Sequence, residues 1–583
     1  MSLLSVSFAR VGYQGSMPDH MERASATEAP SSAQEAHDAV VALLESGEVD
    51  QAGELFRQAF KRWRTNSKLR LLKGDVLART AGPAQAALHY ANLLDDPGLA
   101  TWAGGRLLTL LRDHKMQIKP AVKLARRIRD WPADAKLKGL IFDRLIDATN
   151  ETRREPLLEY LAQETKVFRY ESKLAIFRAE SGDFQSALAI LERARTEGRS
   201  SVHGDLLLSD LLTLDGRLSQ AIDLLESLLV QHPEHADLHR RLTMLQQRAG
   251  HFARAADLFE AAVRRWPHDW MLLYRLNRLP VEHDRLKDIV GVISKNADEP
   301  ANRNDRFRFW FALACLHVGE IGRALELLQH PFQEPIAGMA APVMKALRAR
   351  APQRWISGSR LADDRTREVQ ITRASDARAT IVLTTGIAFG NLPLSFADTL
   401  FADHGLNVVY LRDFIKRAYL RGIATLGATE ADTIVALKQI LGDLGAPRTI
   451  VMGSSSGGFS AMRYAALLKA DYAVSFSGPT AMTSYYDNTR VSVWNPDYFI
   501  RAQLEREGEL PLDLVPVLGD ATHTQFIQFY GEHSTEDARQ ARRLEGLPRV
   551  IVTAIPGVTD HYVVDHMIGD GAFDALLERL AGS

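Results

Sequence analysis

Apolar and polar positions follow two different rules along this chain, and the change falls near residue 360. From about 35 to 345, apolar residues recur every three or four positions, the spacing of amphipathic helices. From 367 onward, short β-branched and apolar runs take over. The first of them, 368–373, alternates like an edge strand, and 379–384, 407–411, 449–452, 472–476, 526–530 and 550–554 read as further strands. Helical spacing fills the gaps at 394–404, 429–444 and after Gly458, and a closing helix is expected over 562–580. Strands alternating with helices predict a mainly parallel sheet covered on both faces. The basic, polar stretch 346–366 is the expected linker, and 1–34, rich in Ser, Ala, Glu and Pro after Ser16, is an expected disordered lead.

The helical region repeats. Gly182-Asp183-Phe184, Gly216-Arg217-Leu218 and Gly250-His251-Phe252 stand 34 residues apart, each followed by an alanine at Ala187, Ala221 and Ala255, and Pro233 and Pro267 keep the same step. Ala255, Phe259, Ala262 and Pro267 form an A-x₃-F-x₂-A…P pattern whose opening returns as Ala52, Phe56 and Ala59. Small alanines let paired helices approach, phenylalanine fills the groove, and glycine turns the chain between helices. Residues 35–345 thus resemble a tetratricopeptide-repeat array, with the pattern clearest over 170–270. The resemblance implies stacked antiparallel helix pairs whose concave face holds a protein or peptide partner, or a second copy of the array. Two runs inside it have plain structural readings. The basic stretch from Lys115 to Lys138 reads as a solvated helix face, with an acidic partner as the alternative. The cluster Phe307, Phe309, Trp310 and Phe311 reads as packing between repeats rather than a ligand platform.

Beyond residue 366, a single stretch concentrates chemistry. TIVMGSSSGGFSAMRYAA, residues 449–466, runs strand, tight turn, helix with serines at the apex. Of the three serines only Ser455 has glycine at both minus two (Gly453) and plus two (Gly457). That G-x-S-x-G frame is the layout of a nucleophile elbow, whose strained backbone leaves no room for neighbouring β-carbons. With the elbow on a middle strand, residues 367–583 resemble the α/β-hydrolase fold. The resemblance implies a triad in the chain order serine, acid, histidine. His561, after the last strand and its IPGVTDH loop, stands where this fold carries its base; His566 and the earlier His404, His523 and His533 suit that place less well. The acid is less plain. The family's usual position, three residues past Gly531, is Ser534, so Asp537 is the expected acid, with Glu532 and Asp487 as substitutes. Backbone N–H groups of Ile387, in the turn after strand 379–384, and of Ser456 are the expected oxyanion donors. The run YLRD (410–413) with Tyr419, Gly422 and FSGPT also resembles, more loosely, hydrolase-like modules of bacterial polysaccharide-biosynthesis and secretion-accessory proteins.

Composition narrows this further. The 71 Lys and Arg nearly cancel the 72 Asp and Glu, so bulk charge draws the chain to neither nucleic acid nor anionic lipid. The single cysteine, Cys315, excludes an internal disulfide and a thiolate zinc cluster, sits in an apolar run as an inert thiol, and suits a cytoplasmic setting. No apolar run reaches 18 residues, so no membrane span is expected, and the first 15 residues lack the pattern of a signal peptide. Asp560-His561 and Asp565-His566 are too few for a metal site, and no phosphate-binding glycine loop follows a strand, so neither metal nor cofactor is expected. The expectation is therefore a serine hydrolase or acyltransferase for an ester or thioester, a glycan-linked acyl group included, with the array docking a partner. The alternative is a non-catalytic adaptor built on a decayed hydrolase domain.

Overall fold

A computed structural model describes residues 29–130, 135–150, 154–296, 304–349, 358–362, 364–415, 417–482 and 512–582. The chain forms two compact units, Met1–Leu174 and Ala175–Ser583. Nineteen helices among the described residues, α1 (Ala33–Glu45) to α19 (Ile336–Ala349), precede the first strand.

In the first unit, Ala36, Val40 and Leu44 of α1, Ala52, Phe56 and Ala59 of α2 (Val49–Arg62), and Leu69, Leu72 and Val76 of α3 (Ser67–Thr80) share one core. The basic run lies partly on α6 (Ile118–Arg129), which buries Ala121, Leu124, Ala125 and Ile128 and turns its cations outward. There Arg127 pairs with Asp95, and Arg129 with Asp130 and Glu164, so two cations of this solvated face are paired.

The second unit begins with the clearest repeats. Helices α10 (Phe184–Thr196), α12 (Leu218–Gln231) and α14 (Phe252–Arg265) start 34 residues apart, as do α11 (Val202–Leu214), α13 (Ala236–Arg248) and α15 (Trp270–Leu276). Gly182, Gly216 and Gly250 turn the chain with φ of 85°, 82° and 80°. A β-carbon on Gly182 or Gly250 would meet nothing within 4 Å, so the left-handed backbone, not space, demands glycine there. Phe307, Phe309 and Phe311 of α17 (Asp305–His317) are buried in the core, as packing requires.

The sheet has seven strands in the order β1-β5-β2-β6-β7-β8-β9. Only β1 (Val369–Thr372) is antiparallel, against β5 (Leu406–Arg412). β2 (Ala379–Thr385), β6 (Thr449–Ser454), β7 (Tyr472–Phe476), β8 (Gln525–Gly531) and β9 (Val550–Ile555) run parallel with β5. A small ribbon, β3 (Ala388–Phe389) with β4 (Leu392–Pro393), follows β2. The helices are α20 (Leu394–Asp403), α21 (Glu430–Leu444), α22 (Ser456–Leu468), α23 (Leu514–Gly519), α24 (Thr535–Arg542), α25 (Val563–Asp570) and α26 (Ala572–Ala581). The closing helix expected over 562–580 is therefore two. Gly571, at φ 78°, ends α25 and redirects the chain into α26. The result is a helical repeat region followed by a mostly parallel seven-stranded sheet.

The period-two alternation of each strand divides the core. Val382, Val409, Val451 and Ala473 face one way, under α21, α22 and α23. Ile381, Leu383, Val408, Ile450 and Met452 face the other, and their core runs on without a break into α14–α19. Helix α19 packs along α25, with Lys345 paired to Asp570. Several residues of the expected linker are deeply engaged. The buried Arg365 guanidinium donates to Leu276 O at 2.7 Å and Leu279 O at 3.3 Å. Arg360 grips the fully buried Asp398 of α20 at 2.9 Å, where Thr372 and Tyr410 also donate. The array also reaches the carboxyl edge of the sheet, for Phe252 meets Phe414, just past β5, at 5.6 Å between ring centres. No described helix is long and apolar enough to cross a membrane.

Candidate active site

The carboxyl ends of β6, β8 and β9 lie on one edge, and each delivers one candidate residue there. Ser455 stands between β6 and α22 with φ 56° and ψ −129°, a backbone that side-chain-bearing residues rarely adopt. Its N–H donates to Phe476 O on the neighbouring strand at 2.9 Å, fixing the kink. The flanking glycines are required by contact: a β-carbon on Gly453 would sit 2.4 Å from Gly457 O, and one on Gly457 2.2 Å from Thr384 O. Thr384 Oγ1 donates to Gly457 O at 2.7 Å, tying the first turn of α22 to the end of β2. Ser455 is half-buried and Ser456 exposed.

The candidate acid and base meet directly. His561 Nδ1 lies 2.9 Å from Asp537 Oδ1 and 3.0 Å from Oδ2, and Asp537 is only 3% exposed. A carboxylate can only accept, so Nδ1 carries the hydrogen and Nε2 keeps its lone pair. Asp537 opens α24, where the helix N-terminus favours negative charge. Ser534 is the N-cap residue of that helix and donates Oγ–H to Asp537 Oδ2 at 2.9 Å, holding that carboxylate in place. Glu532 does something else. Its carboxylate accepts the Gly557 N–H at 2.9 Å and holds the turn that leads to His561. His533 N–H donates to Val558 O at 2.9 Å, tightening the same loop. Asp487 lies outside the described residues.

Ile387 is buried in the turn between β2 and β3. Two contacts that local sequence pattern does not announce hold this turn in place. Tyr419, itself at φ 58°, donates its hydroxyl to Thr385 O and to Leu411 O, the latter at 2.9 Å. Asp565, fully buried on α25, accepts the Asn391 N–H at 3.1 Å and its Nδ2–H at 2.7 Å, joining the helix after His561 to the turn after Ile387. Burial pushes the Asp565 carboxyl up to about 7, against the pull of the Asn391 hydrogen bonds. The partners in that link are 174 residues apart, so only the fold reveals it. The remaining carboxylate of the DH…DH pattern, Asp560, accepts from His566 Nε2 at 2.8 Å, and among the described residues no three potential metal ligands converge.

Residues 178–245 and 243–276 match tetratricopeptide-repeat families. No curated protein matches the chain. Among solved structures it is similar to esterase B from Lactobacillus rhamnosis, at 14% identity over 44% of this chain and 96% of that one, with a TM-score of 0.30. It is also similar to the fluorophosphonate-binding serine hydrolase FphF of Staphylococcus aureus, at 14% identity over 36% and 86%, TM-score 0.25. A third, 2,6-dihydroxy-pseudo-oxynicotine hydrolase, is 15% identical over 54% and 88%, TM-score 0.29.

Proposed function

We propose that this protein is a serine hydrolase or acyltransferase for an ester or thioester, with Ser455 as nucleophile, His561 as base and Asp537 as the orienting acid. The observation that carries the reading is the His561–Asp537 pair at 2.9 Å on the sheet edge where the strained Ser455 elbow also stands. With Nδ1–H engaged by Asp537, His561 Nε2 takes the Ser455 proton as Oγ attacks the carbonyl carbon. The N–H groups of Ile387 and Ser456 stabilise the oxyanion. Collapse breaks the bond to the leaving alcohol or thiol, which receives the proton from His561. Water, or an acceptor hydroxyl such as that of a sugar, then attacks the acyl-serine with His561 again as base. Water releases the acid; an acceptor hydroxyl leaves with a new ester.

The looser resemblance to polysaccharide-associated modules favours a glycan-linked acyl group as substrate. The tetratricopeptide array supplies a surface for a protein partner, and the buried, inert Cys315 suits a cytoplasmic location. A decayed adaptor is the weaker reading, because Asp537 fills the role that Ser534 leaves open. The test is labelling of the full chain with a fluorophosphonate. Wild type is expected to label and Ser455→Ala to stay blank, while Ser456→Ala, which alters only an exposed side chain, still labels. Equal labelling of wild type and Ser455→Ala would reject the assignment.

A further inference from the structure

The last repeats enclose a cavity of about 550 Å³, within the size range of small-molecule sites. Its walls are mainly apolar, from Trp270, Tyr274, Trp310, Ile336 and Met339, yet four arginines also line it. Two of these are neutralised: Arg240 by Asp237 and Asp269, and Arg241 by Asp210. Arg306 stacks on the Trp270 ring at 4.8 Å and has no carboxylate partner among the described residues. Arg275 is half-buried, and no described group accepts a hydrogen bond from its guanidinium. Burial, aided by the cations of Arg240 and Arg241, pulls its pKa down to about 10, so it is charged at neutral pH in a costly place. Four cations against the three carboxylates Asp210, Asp237 and Asp269 leave one positive charge uncompensated.

Two links place this cavity beside His561. Ile336 and Met339 belong to α19, which packs along α25, and a β-carbon on Gly338 between them would reach Asp560 Oδ2 at 4.0 Å. Tyr274 carries Arg278 stacked on its ring at 3.8 Å, and both lie close enough to Tyr562, the residue after His561, to act on its hydroxyl electrostatically.

We propose that this array cavity is the substrate-recognition subsite of the Ser455 hydrolase, and that it selects esters carrying a single carboxylate at the end of an apolar stem. The inference rests on the hydrolase reading above. The walls of Trp270, Tyr274 and Trp310 take the stem, and Arg275 takes the carboxylate through a charge-assisted hydrogen bond. The repeats would then choose the substrate as well as any partner.

Two experiments on the full chain test this. The first compares 4-nitrophenyl esters of hexanoic to decanoic acid with the half-esters of the dicarboxylic acids of equal length. Wild type should favour the half-ester by at least tenfold in kcat/KM at one or more lengths, through KM. Arg275→Gln should remove that preference, and Arg275→Lys should keep part of it. The second is calorimetric titration of Ser455→Ala with octanoate, octyl phosphate and octanol. Octanoate should bind at least tenfold more tightly than octanol, and Arg275→Gln in the same background should erase the difference without lowering the melting temperature. Equal binding of octanoate and octanol would overturn the proposal, and tighter binding of octyl phosphate would overturn the choice of carboxylate. Octanoate binding without any half-ester preference would show an anion pocket that does not serve the serine. If no ester of either kind is turned over while octanoate still binds, the hydrolase reading fails and the pocket survives it.

Discussion

Asp537→Asn probes the active-site assignment at its most informative point. Both carboxylate oxygens lie within 3.0 Å of the same His561 nitrogen. An amide keeps its oxygen at the Oδ2 position, where Ser534 Oγ–H donates, and so turns its NH₂ group toward Nδ1 from the Oδ1 position. A donor facing a donor favours the other imidazole tautomer, with hydrogen on Nε2 and no lone pair left for the Ser455 proton. The site is 3% exposed, so water does little to relieve the mismatch. In a serine protease the equivalent exchange costs about 10⁴ in turnover, and a loss of 10³–10⁴ is expected here, about 4–5 kcal/mol of barrier at 1.36 per decade. The assay is hydrolysis of 4-nitrophenyl acetate by the full chain, with the fluorophosphonate labelling rate as a second readout and thermal melting as a control for folding. Glu532→Gln, which touches only the Gly557 N–H, should lose no more than a few-fold. Activity of a well-folded Asp537→Asn protein within tenfold of wild type would refute the role given to Asp537.

Three further outcomes follow from the packing. Gly453→Ala places a β-carbon 2.4 Å from backbone Gly457 O and from Thr384 Oγ1, and should destabilise the protein by about 3 kcal/mol or abolish the elbow, read by denaturant unfolding and by labelling. A chain beginning at residue 358 would lay bare the face that packs on α14–α19, and is expected to be insoluble or to bind a hydrophobic dye; a soluble, cooperatively melting product would show that the sheet owns a complete core. Asp565 binds its proton more tightly when folded, at about 7 against 3.8, so its contribution to stability is present at low pH and lost as pH rises toward 7. Melting curves of Asp565→Asn and wild type between pH 4 and 8 should therefore shift in favour of the variant as pH rises, by ~4 kcal/mol at most; a difference independent of pH would contradict the raised carboxyl.

Much of the architecture was legible because it is local. The 34-residue step shows in sequence since each turn needs a left-handed glycine at the same place, as at Gly182, Gly216 and Gly250. The elbow shows since the frame itself sets Gly453 against Gly457 O, although the demand at Gly457 comes from Thr384 O on the neighbouring strand. Parallel pairing follows from β-then-α alternation, whereas the strand order is set by the tertiary structure. The break at Gly571 was missed because the apolar spacing of α25 and α26 runs through it, and only the positive φ separates them. Other decisions belong to tertiary structure alone. Whether Asp537 or Glu532 meets His561 depends on how two loops cross above the sheet, and both carry a carboxylate at a plausible distance along the chain. The hold of Asp565 on Asn391, and of Tyr419 on Thr385, joins residues far apart in sequence, where pattern carries no information about contact. Arg275 is the clearest case: on a helix it is one more arginine, and only the packing of α15, α17 and α19 around it turns a surface charge into a half-buried one. Sequence fixes what each segment prefers by itself, whereas the electrostatics of a site depend on which neighbours exclude water from it.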